Sequence, residues 1–136
     1  MQFYIGSSFA NITNVRILQH KLIDRGFTLT YDWTQNERAT SKAALQTIGH
    51  AEKQAITLSD CVIILLPAGK GSHIELGIAL GQDKPIFLHC VDQTYDRFET
   101  TSTFYHLPEI IPCSGTLEEL TELIVHHHQQ MFTRGL

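Results

Sequence analysis

The segment Asp60-Cys61-Val62-Ile63-Ile64-Leu65-Leu66-Pro67, "DCVIILLP", is the most apolar run of the chain. Six apolar residues follow one another without a polar interruption, and a proline closes the run. An uninterrupted apolar run is typical of a strand that is buried on both faces, as the central strands of parallel sheets are. The segment therefore predicts the central strand of a parallel sheet.

Strand and helix patterns alternate on both sides of this segment. Strands are predicted at residues 3–5, 27–31, 85–89 and 109–111, and helices at 12–22, 39–58, 72–82 and 117–131. Alternation with short connections is typical of a parallel sheet covered by helices on both faces. With right-handed crossovers, five strands predict a flavodoxin-like or Rossmann-like three-layer α/β sandwich with strand order 2-1-3-4-5. The whole chain, residues 1–136, is expected to form one domain.

The composition is that of an ordinary globular protein, with 43% hydrophobic and 18% charged residues. Ten basic residues against fourteen acidic ones give a net charge of −4, which does not favour a nucleic-acid partner. No apolar run approaches the roughly 18 residues of a membrane span, and three cysteines without a CxxC pair predict reduced thiols. We therefore expect a cytoplasmic protein without a leader segment or a membrane partner.

Residues 90–107, "CVDQTYDRFETTSTFYHL", are polar and aromatic and lack a clear periodicity. Connections of this length in compact domains are often functional or form interfaces. We expect a short helix within this segment, at a position that the pattern does not define.

The predicted topology places a ligand site at the carboxyl ends of strands one and three, where the strand order reverses. Both strands are followed by turns rich in glycine and serine, which let backbone amides approach a ligand closely. The helix after strand three adds free N–H groups and a positive dipole end. We expect a small anion or a nucleotide as ligand. The candidate binding residues are Gly6, Ser7, Ser8, Gly69, Lys70, Gly71 and Ser72.

Residues Ser72-His73-Ile74-Glu75 match the S-x-x-E capping box of a helix N-terminus. In that role, Glu75 bonds back to the Ser72 amide and holds the helix end. Alternatively, Glu75 faces the ligand and takes part in chemistry, and the two roles do not exclude each other. His73, beside the cap, is expected at the pocket rim or on the surface.

Glu52 interrupts an apolar helical face formed by Leu45, Ile48, Ala55 and Ile56. A carboxylate at this position is costly unless it is paired or lies at the rim of the core. One interpretation is that Glu52 reaches past the sheet edge to water. The other places it in the pocket beside a second carboxylate, which is the equipment for cleaving a glycosidic bond.

Asp32 and Trp33 end the second predicted strand near the same edge of the sheet. Trp33 is placed to stack on a base and Asp32 to hold a sugar hydroxyl. An aromatic residue at a strand end is equally typical of a cover over the core, and the pattern leaves both interpretations open.

His126-His127-His128 does not predict a metal site. Consecutive helical residues point about 100° apart, so the three rings cannot face one ion. We interpret this segment as a solvated helix end, and the sequence carries no other pattern that calls for a metal or a cofactor.

Four segments together resemble the nucleoside 2-deoxyribosyltransferase-like superfamily, which includes 2'-deoxynucleoside 5'-monophosphate N-glycosidases. They are Tyr4-Ile5-Gly6-Ser7, Glu52 eight residues before Asp60, Asp60-Cys61-Val62-Ile63-Ile64, and Gly71-Ser72-His73-Ile74-Glu75-Leu76-Gly77-Ile78-Ala79. The last segment is similar to the G-x-x-E-L-G-x-A signature of that family, which is the most specific part of the resemblance. The likeness covers about residues 1–89.

The resemblance implies a catalytic set. Glu75 matches the family nucleophile, which attacks the anomeric carbon, expels the base and forms a glycosyl ester that water or an acceptor base resolves. Glu52 matches a helper carboxylate at the base, which is usually aspartate in the family. Tyr4 matches a strand-one tyrosine that orients the nucleophile, and a register change of one residue would put Phe3 there instead.

The resemblance also implies a dimer or larger homo-oligomer, in which a neighbouring chain closes each site. The loop around Thr101, Ser102 and Thr103 is the candidate for that contribution, with Ser102 as the expected contact to substrate.

This chain departs from the family pattern in the loop before E-L-G, where the transferases carry an extra acidic residue and this chain has Gly69 and Lys70. Lys70 together with the serines of the two turns favours a phosphorylated substrate over a free nucleoside. The same loop is similar to the P-G-G-x-G-T-x-x-E motif of cytokinin-activating phosphoribohydrolases, a second enzymatic alternative. A nucleotide-binding sensor that keeps the pocket without turnover is the alternative from another class.

Overall fold

Five parallel strands form one sheet in the order β2-β1-β3-β4-β5, with two helices packed together on each face, α1 with α4 and α2 with α3. The computed structural model describes residues 1–134. Its strands and helices in chain order are β1 (Gln2–Gly6), α1 (Ile12–Asp24), β2 (Thr28–Leu29), α2 (Lys42–Leu58), β3 (Cys61–Leu65), α3 (Lys70–Gly81), β4 (Ile86–His89), β5 (Ile110–Cys113) and α4 (Leu117–Arg134). The predicted flavodoxin-like class and strand order are confirmed.

The central strand β3 explains the apolar run in the sequence. All five of its residues are buried, and it pairs with β1 on one side and β4 on the other. A strand that is covered on both faces has no solvent side, so polar residues do not alternate along it.

Two predicted boundaries next to the pocket are wrong. The strand predicted at 27–31 is only Thr28–Leu29, because β2 is an edge strand and the chain turns into a 3-10 helix at Trp33–Gln35. Helix α2 begins at Lys42 and not at residue 39, because the Ser41 hydroxyl accepts the Ala44 amide at 3.1 Å and caps the helix there. Residues 36–40 are therefore a loop, and this loop borders the pocket.

The predicted capping box at Ser72 is also wrong. Helix α3 begins at Lys70, with Gly69 as its N-cap, so Ser72 already lies inside the first turn. The Ser72 hydroxyl donates to the Gly69 carbonyl at 3.1 Å and does not accept from the backbone. The Glu75 carboxylate is turned away from the helix end, toward Tyr4. The cap and the acidic side chain therefore have different functions.

A capping box does occur at α4. The Glu119 amide donates to the Thr116 hydroxyl at 3.1 Å, and the Thr116 amide donates to the Glu119 carboxylate at 3.3 Å. Helix α4 is therefore capped at Thr116.

The β4–β5 connection contains two 3-10 helices, Thr94–Asp96 and Thr103–His106, where one short helix was expected. The second one is anchored by Tyr105, which is 9% exposed and belongs to the hydrophobic core. This anchor holds the connection against the body of the domain.

The end of α4 differs from the solvated helix end predicted for the three histidines. The His127 ring packs edge-on against Phe87 at 5.3 Å, and the His128 ring packs edge-on against Phe27 at 5.4 Å. His126 is exposed. Two of the three rings therefore pack against buried phenylalanines, and the prediction that all three are solvated is wrong.

Cys61, Cys90 and Cys113 are free thiols, as expected from their odd number and spacing. Within residues 1–134, no helix has both the length and the apolar character needed to cross a bilayer.

Candidate active site

A cleft of about 920 Å³ opens at the carboxyl ends of β1 and β3. Its walls are helices α2 and α3 and the loops that follow β1, β2 and β3, which is the predicted switch point of the sheet. The polar lining residues are Ser7, Ser8, Asn36, Glu37, Arg38, Glu52, Lys53, Ser72 and Glu75. The cleft is large enough for a nucleotide.

Two carboxylates and one phenol meet at the base of this cleft. The Tyr4 hydroxyl lies 2.6 Å from the Glu75 carboxylate and 3.1 Å from the Glu52 carboxylate. Tyr4 is completely buried on β1, while α2 and α3 each contribute one glutamate. The strand register that brings Tyr4 to this face of the sheet turns Phe3 to the opposite face. Three residues that are far apart in the sequence are thus brought into one cluster.

The phenol carries one proton for two carboxylates, so the two hydrogen bonds are not equivalent. The shorter bond goes to Glu75, which is 8% exposed. Burial and the neighbouring Glu52 raise the pKa of Glu75 to about 8, although the bond from Tyr4 acts in the opposite direction. Glu75 therefore holds a proton at neutral pH, with the Glu52 side chain beside it.

Tyr4 stays a hydrogen-bond donor throughout this pH range. Burial and the charges of Glu75 and Glu52 raise the pKa of Tyr4 far above its ordinary value. A permanently protonated phenol beneath Glu75 fixes the direction of one carboxylate oxygen and leaves the other oxygen, Oε1, free of that bond.

Glycine at the end of β1 makes room for the Glu75 carboxylate. A Cβ at Gly6 would lie 2.8 Å from Glu75 Oε1 and 3.0 Å from a methyl group of Ile64. The sequence predicted Gly6 as a place where the backbone approaches a ligand. In the structure, the group that approaches Gly6 is the carboxylate of Glu75.

Glu52 lies where the apolar face of α2 passes from the core to the cleft. Ala55 and Ile56 are buried in the core, whereas Leu45 and Ile48 line the cleft. Of the two interpretations open for Glu52, the structure has the one in which it faces the pocket beside Glu75.

The two predicted glycine and serine turns border the cleft, but their hydroxyls differ in availability. Ser7 donates to the Leu65 carbonyl at 2.8 Å and accepts from Asn11, so it ties the ends of β1 and β3 together. Ser72 is 4% exposed and donates to the Gly69 carbonyl. Ser8, Gly69 and Gly71 line the cleft directly.

The cations at the cleft are not the predicted one. Lys70 is exposed on the first turn of α3 and does not line the cleft, whereas Arg38 and Lys53 do. Sequence reasoning missed both. Lys53 directly follows Glu52 on α2, and that adjacency was the available signal; Arg38 lies in an irregular loop without a pattern.

Trp33 combines the two roles that the sequence left open. Its indole N–H donates to the Ile5 carbonyl at 2.6 Å, and its ring packs edge-on against Phe9 at 5.4 Å. Trp33 is 6% exposed and also lines the cleft. It therefore covers the core and forms part of the pocket wall.

The structure does not bring Asp32 or Ser102 into this cleft. The Asp32 carboxylate accepts from the Thr34 amide at 3.0 Å and from Gln19 at 3.0 Å, and so caps the 3-10 helix at Trp33–Gln35. Ser102 caps the 3-10 helix at Thr103–His106. The contact of Ser102 with a neighbouring chain's site stays a prediction about the assembly.

The outer wall of the cleft is apolar and open. Phe9, Leu45 and Ile74 line it and are 63%, 61% and 64% exposed. Within the described part of the chain, no group of three or more histidine, cysteine, aspartate or glutamate side chains is arranged to hold a metal ion.

No family model and no curated protein matches the sequence, so the comparison rests on solved structures. The chain is similar to the CMP N-glycosidase BcmB of Clostridium botulinum, with 15% identity over 91% of this chain and 98% of that one, and a TM-score of 0.60. It is similar to a conserved protein of Enterococcus faecalis V583, with 18% identity over 93% and 98% of the two chains and a TM-score of 0.64. It is also similar to a 2-deoxyribosyltransferase of Bacillus psychrosaccharolyticus, with 13% identity over 89% and 90% and a TM-score of 0.62.

These matches cover nearly the whole length of both chains at low identity, so what they establish is a common fold. They agree with the predicted flavodoxin-like fold, and the resemblance to the nucleoside 2-deoxyribosyltransferase-like superfamily is one of fold.

Proposed function

We propose that this protein cleaves the N-glycosidic bond of a nucleoside 5'-monophosphate or a (deoxy)nucleoside through a covalent intermediate on Glu75. The observation that carries the proposal is the cluster at the base of the cleft, in which Tyr4 bonds the buried Glu75 and also Glu52. Retaining glycosidases use two carboxyl groups in different environments, one as the nucleophile and the other as the general acid and base. The N-glycosidase and transferase among the structural neighbours support the same kind of reaction.

In the first step, Glu75 Oε1 attacks the anomeric carbon and forms a glycosyl ester. The bond from that carbon to the base nitrogen breaks, its electron pair goes to the base, and Glu52 supplies a proton to the departing base. In the second step, water attacks the anomeric carbon and the bond from that carbon to the Glu75 oxygen breaks. Glu52 accepts the proton of the water, and Glu75 is released as a carboxylate. A second base in place of water gives transfer.

The proton that Glu75 holds in the free protein suits this sequence of steps. For the attack, this proton passes from Glu75 to Glu52, so that Glu75 is ionised as the nucleophile and Glu52 carries the proton for the departing base. Tyr4 favours this transfer, because its shorter hydrogen bond stabilises the charge on Glu75. Loss of this proton leaves Glu52 without a proton to donate to the departing nucleobase.

A phosphorylated substrate is favoured by the cations of the cleft. Arg38 and Lys53 line it and provide positive charge near the walls, in the role that the sequence had suggested for Lys70. Ser8 and the Gly69 turn add small groups that let backbone amides approach an anion. We therefore expect nucleoside 5'-monophosphates to be better substrates than free nucleosides.

Base release tests the proposal. The protein is incubated with nucleosides, ribo- and deoxyribonucleoside 5'-monophosphates and NAD, and free base is measured by chromatography for the unaltered chain and for Glu75→Ala. We expect release from at least one monophosphate, with a loss of at least about 10³-fold in Glu75→Ala.

Tight binding of a nucleotide without any release would favour the sensor instead. Release confined to cytokinin riboside 5'-monophosphates, when these are added to the panel, would favour the phosphoribohydrolase alternative. Equal rates on nucleosides and their 5'-monophosphates would contradict the preference for phosphate.

We also propose that the protein is a homodimer in which a second copy covers the apolar rim formed by Phe9, Leu45 and Ile74. Three large apolar side chains, each more than half exposed beside one cleft, form a patch of the kind that interfaces bury. Sedimentation equilibrium is expected to give twice the chain mass, and Leu45→Asp is expected to shift the equilibrium to monomer. A monomer for the unaltered chain at high micromolar concentration would contradict this assembly.

A further inference from the structure

His73 uses both ring nitrogens to connect two segments that are distant in the sequence. Its Nδ1 lies 2.8 Å from the Gly69 carbonyl, and its Nε2 lies 2.6 Å from the Tyr105 hydroxyl. A carbonyl oxygen only accepts, so Nδ1 carries the proton, and Nε2 then accepts from the tyrosine. The two rings also stack, with centroids 6.0 Å apart and planes 29° apart. The orientation of the imidazole is therefore defined from both ends.

Tyr105 is a fixed point for this connection. It is 9% exposed, packs in the hydrophobic core and lies in the 3-10 helix at Thr103–His106, whose first turn is capped by Ser102. Because Tyr105 is held in the core, its hydrogen bond to His73 fixes the position of the β4–β5 connection relative to helix α3.

The Gly69 carbonyl is the other end of the connection, and it belongs to the wall of the cleft. We call residues Gly69 to Ser72 the glycine turn; both of its glycines line the cleft. Glycine has no side chain to restrict its backbone, so the direction of this peptide group has to be held by its partners. The Gly69 carbonyl accepts from the Ser72 hydroxyl, the His73 amide and the His73 ring.

The direction of that peptide group matters because the amides that follow it are free. The first N–H groups of α3 have no partner within the helix, and they face the region before the helix start. Rotation of the Gly69 peptide group would move its carbonyl and the Lys70 amide together, and would displace the backbone of a turn whose two glycines line the cleft.

We propose that His73, held in place by Tyr105, is a positioning residue for the glycine turn, and that it sets the affinity of the cleft for the phosphate of its substrate. The assignment of the phosphate to this turn rests on the function proposed above. Neither His73 nor Tyr105 lines the cleft, so both act through the Gly69 carbonyl.

Three variants separate the two hydrogen bonds of His73. Tyr105→Phe removes the bond at Nε2; His73→Asn keeps a donor at the Nδ1 position and loses the bond to Tyr105; His73→Phe keeps a ring of similar size and loses both. Tyr95→Phe is the matched control, because it removes a hydroxyl from the same connection that has no hydrogen bond within the described residues.

Each lost bond is expected to raise the KM for a nucleoside 5'-monophosphate by about fivefold to tenfold, with kcat within about twofold. His73→Phe should give the largest increase, His73→Asn and Tyr105→Phe smaller and similar ones, and the control none. Free nucleosides should show no change in KM. A merely structural role would instead lower the melting temperature and kcat together and leave KM unchanged, and this result would overturn the proposal.

A measurement without substrate keeps the test independent of the proposed function. The backbone ¹⁵N–¹H signals of Gly69 and Gly71 in the ligand-free protein are expected to shift or broaden in Tyr105→Phe and to stay in place in Tyr95→Phe. Unchanged signals in Tyr105→Phe would overturn the positioning role even if the enzyme is active. Changed signals together with no turnover on any nucleotide would uphold that role and contradict the proposed function.

Discussion

Replacing Glu75 with glutamine is expected to stabilise the folded protein, by an amount that increases with pH. Burial is the main reason that the pKa of Glu75 is raised from 4.5 to about 8, and Glu52 adds to it. A group with a higher pKa in the folded state binds its proton more tightly there than in the unfolded chain. The stability that it contributes is therefore complete below about pH 4.5 and is lost as the pH rises through about 8.

The size of the effect follows from that difference in pKa. At about 1.4 kcal/mol per pKa unit, the interval from 4.5 to about 8 sets an upper limit of about 5 kcal/mol. Relaxation of the site and water in the open cleft reduce this limit, so we expect an effect of about 2 to 3 kcal/mol. Glutamine carries no charge, and its carbonyl oxygen can still accept from Tyr4. For a chain of 136 residues, this corresponds to a rise of roughly 6 to 12 °C in Tm above pH 8.

Urea unfolding at pH 5 and pH 8.5, followed by the fluorescence of the buried Trp33, measures the difference. Glu75→Gln should exceed the unaltered chain by a small amount at pH 5 and by the full amount at pH 8.5. Glu99→Gln, an exposed glutamate in the β4–β5 connection, is the control and should show no difference that depends on pH. An equal difference at both pH values, or a destabilised Glu75→Gln at pH 8.5, would refute the reasoning.

Three further predictions concern activity, all measured as base release from a nucleoside 5'-monophosphate. For the unaltered chain, kcat/KM should fall above about pH 8, where the site loses the proton that Glu75 holds. In Glu52→Gln the rate should be lower by about 10²-fold, and the fall above pH 8 should disappear, because this variant has no acid to donate that proton. Gly6→Ala should displace the Glu75 carboxylate, because the added Cβ would lie 2.8 Å from Oε1. We expect kcat to fall by at least about tenfold and the free energy of unfolding to fall by about 1 to 3 kcal/mol. A variant with full activity would contradict the proposed geometry. Arg38→Ala should raise KM for monophosphates by about tenfold and leave KM for nucleosides unchanged, whereas an equal increase for both would show that Arg38 does not recognise phosphate.

The architecture was predictable because it follows from patterns that are local and strong. The apolar run from Cys61 to Leu66 is stable only where both of its faces are buried, which means between two layers of helices. The alternation of strands and helices around it then predicts the order of the strands. Glu52 was recognised for the same reason, since a carboxylate within an apolar helical face is costly wherever that face packs.

The start of α3 was not predictable from its capping pattern. The S-x-x-E spacing is present, but the helix begins two residues earlier, at Lys70. The Glu75 carboxylate accepts a hydrogen bond from Tyr4, which lies 71 positions away in the sequence. A contact of this range outweighs a local cap, because a buried carboxylate without a donor would cost more than an uncapped helix end.

Two further differences fall in the loop after β2. Asp32 was expected to meet a sugar hydroxyl, but its carboxylate lies beside the Thr34 amide and serves the local turn. Arg38 lies a few residues further on, where no periodicity indicates direction, and its place at the cleft depends on how the loop packs. The conformation of an irregular segment is determined by its tertiary contacts, and these cannot be derived from the pattern of a single sequence.

The covalent intermediate provides the most direct test. A nucleoside 5'-monophosphate with fluorine at the sugar 2' position slows the formation and the hydrolysis of a glycosyl ester, because fluorine opposes the positive charge that develops at the anomeric carbon. After acid quenching, mass spectrometry of the peptide that contains Glu75 should show the added mass of the fluorinated sugar phosphate, and this adduct should be absent in Glu75→Gln. Base release accompanied by an adduct on another residue, or undiminished in Glu75→Gln, would contradict the assignment of Glu75 as the nucleophile.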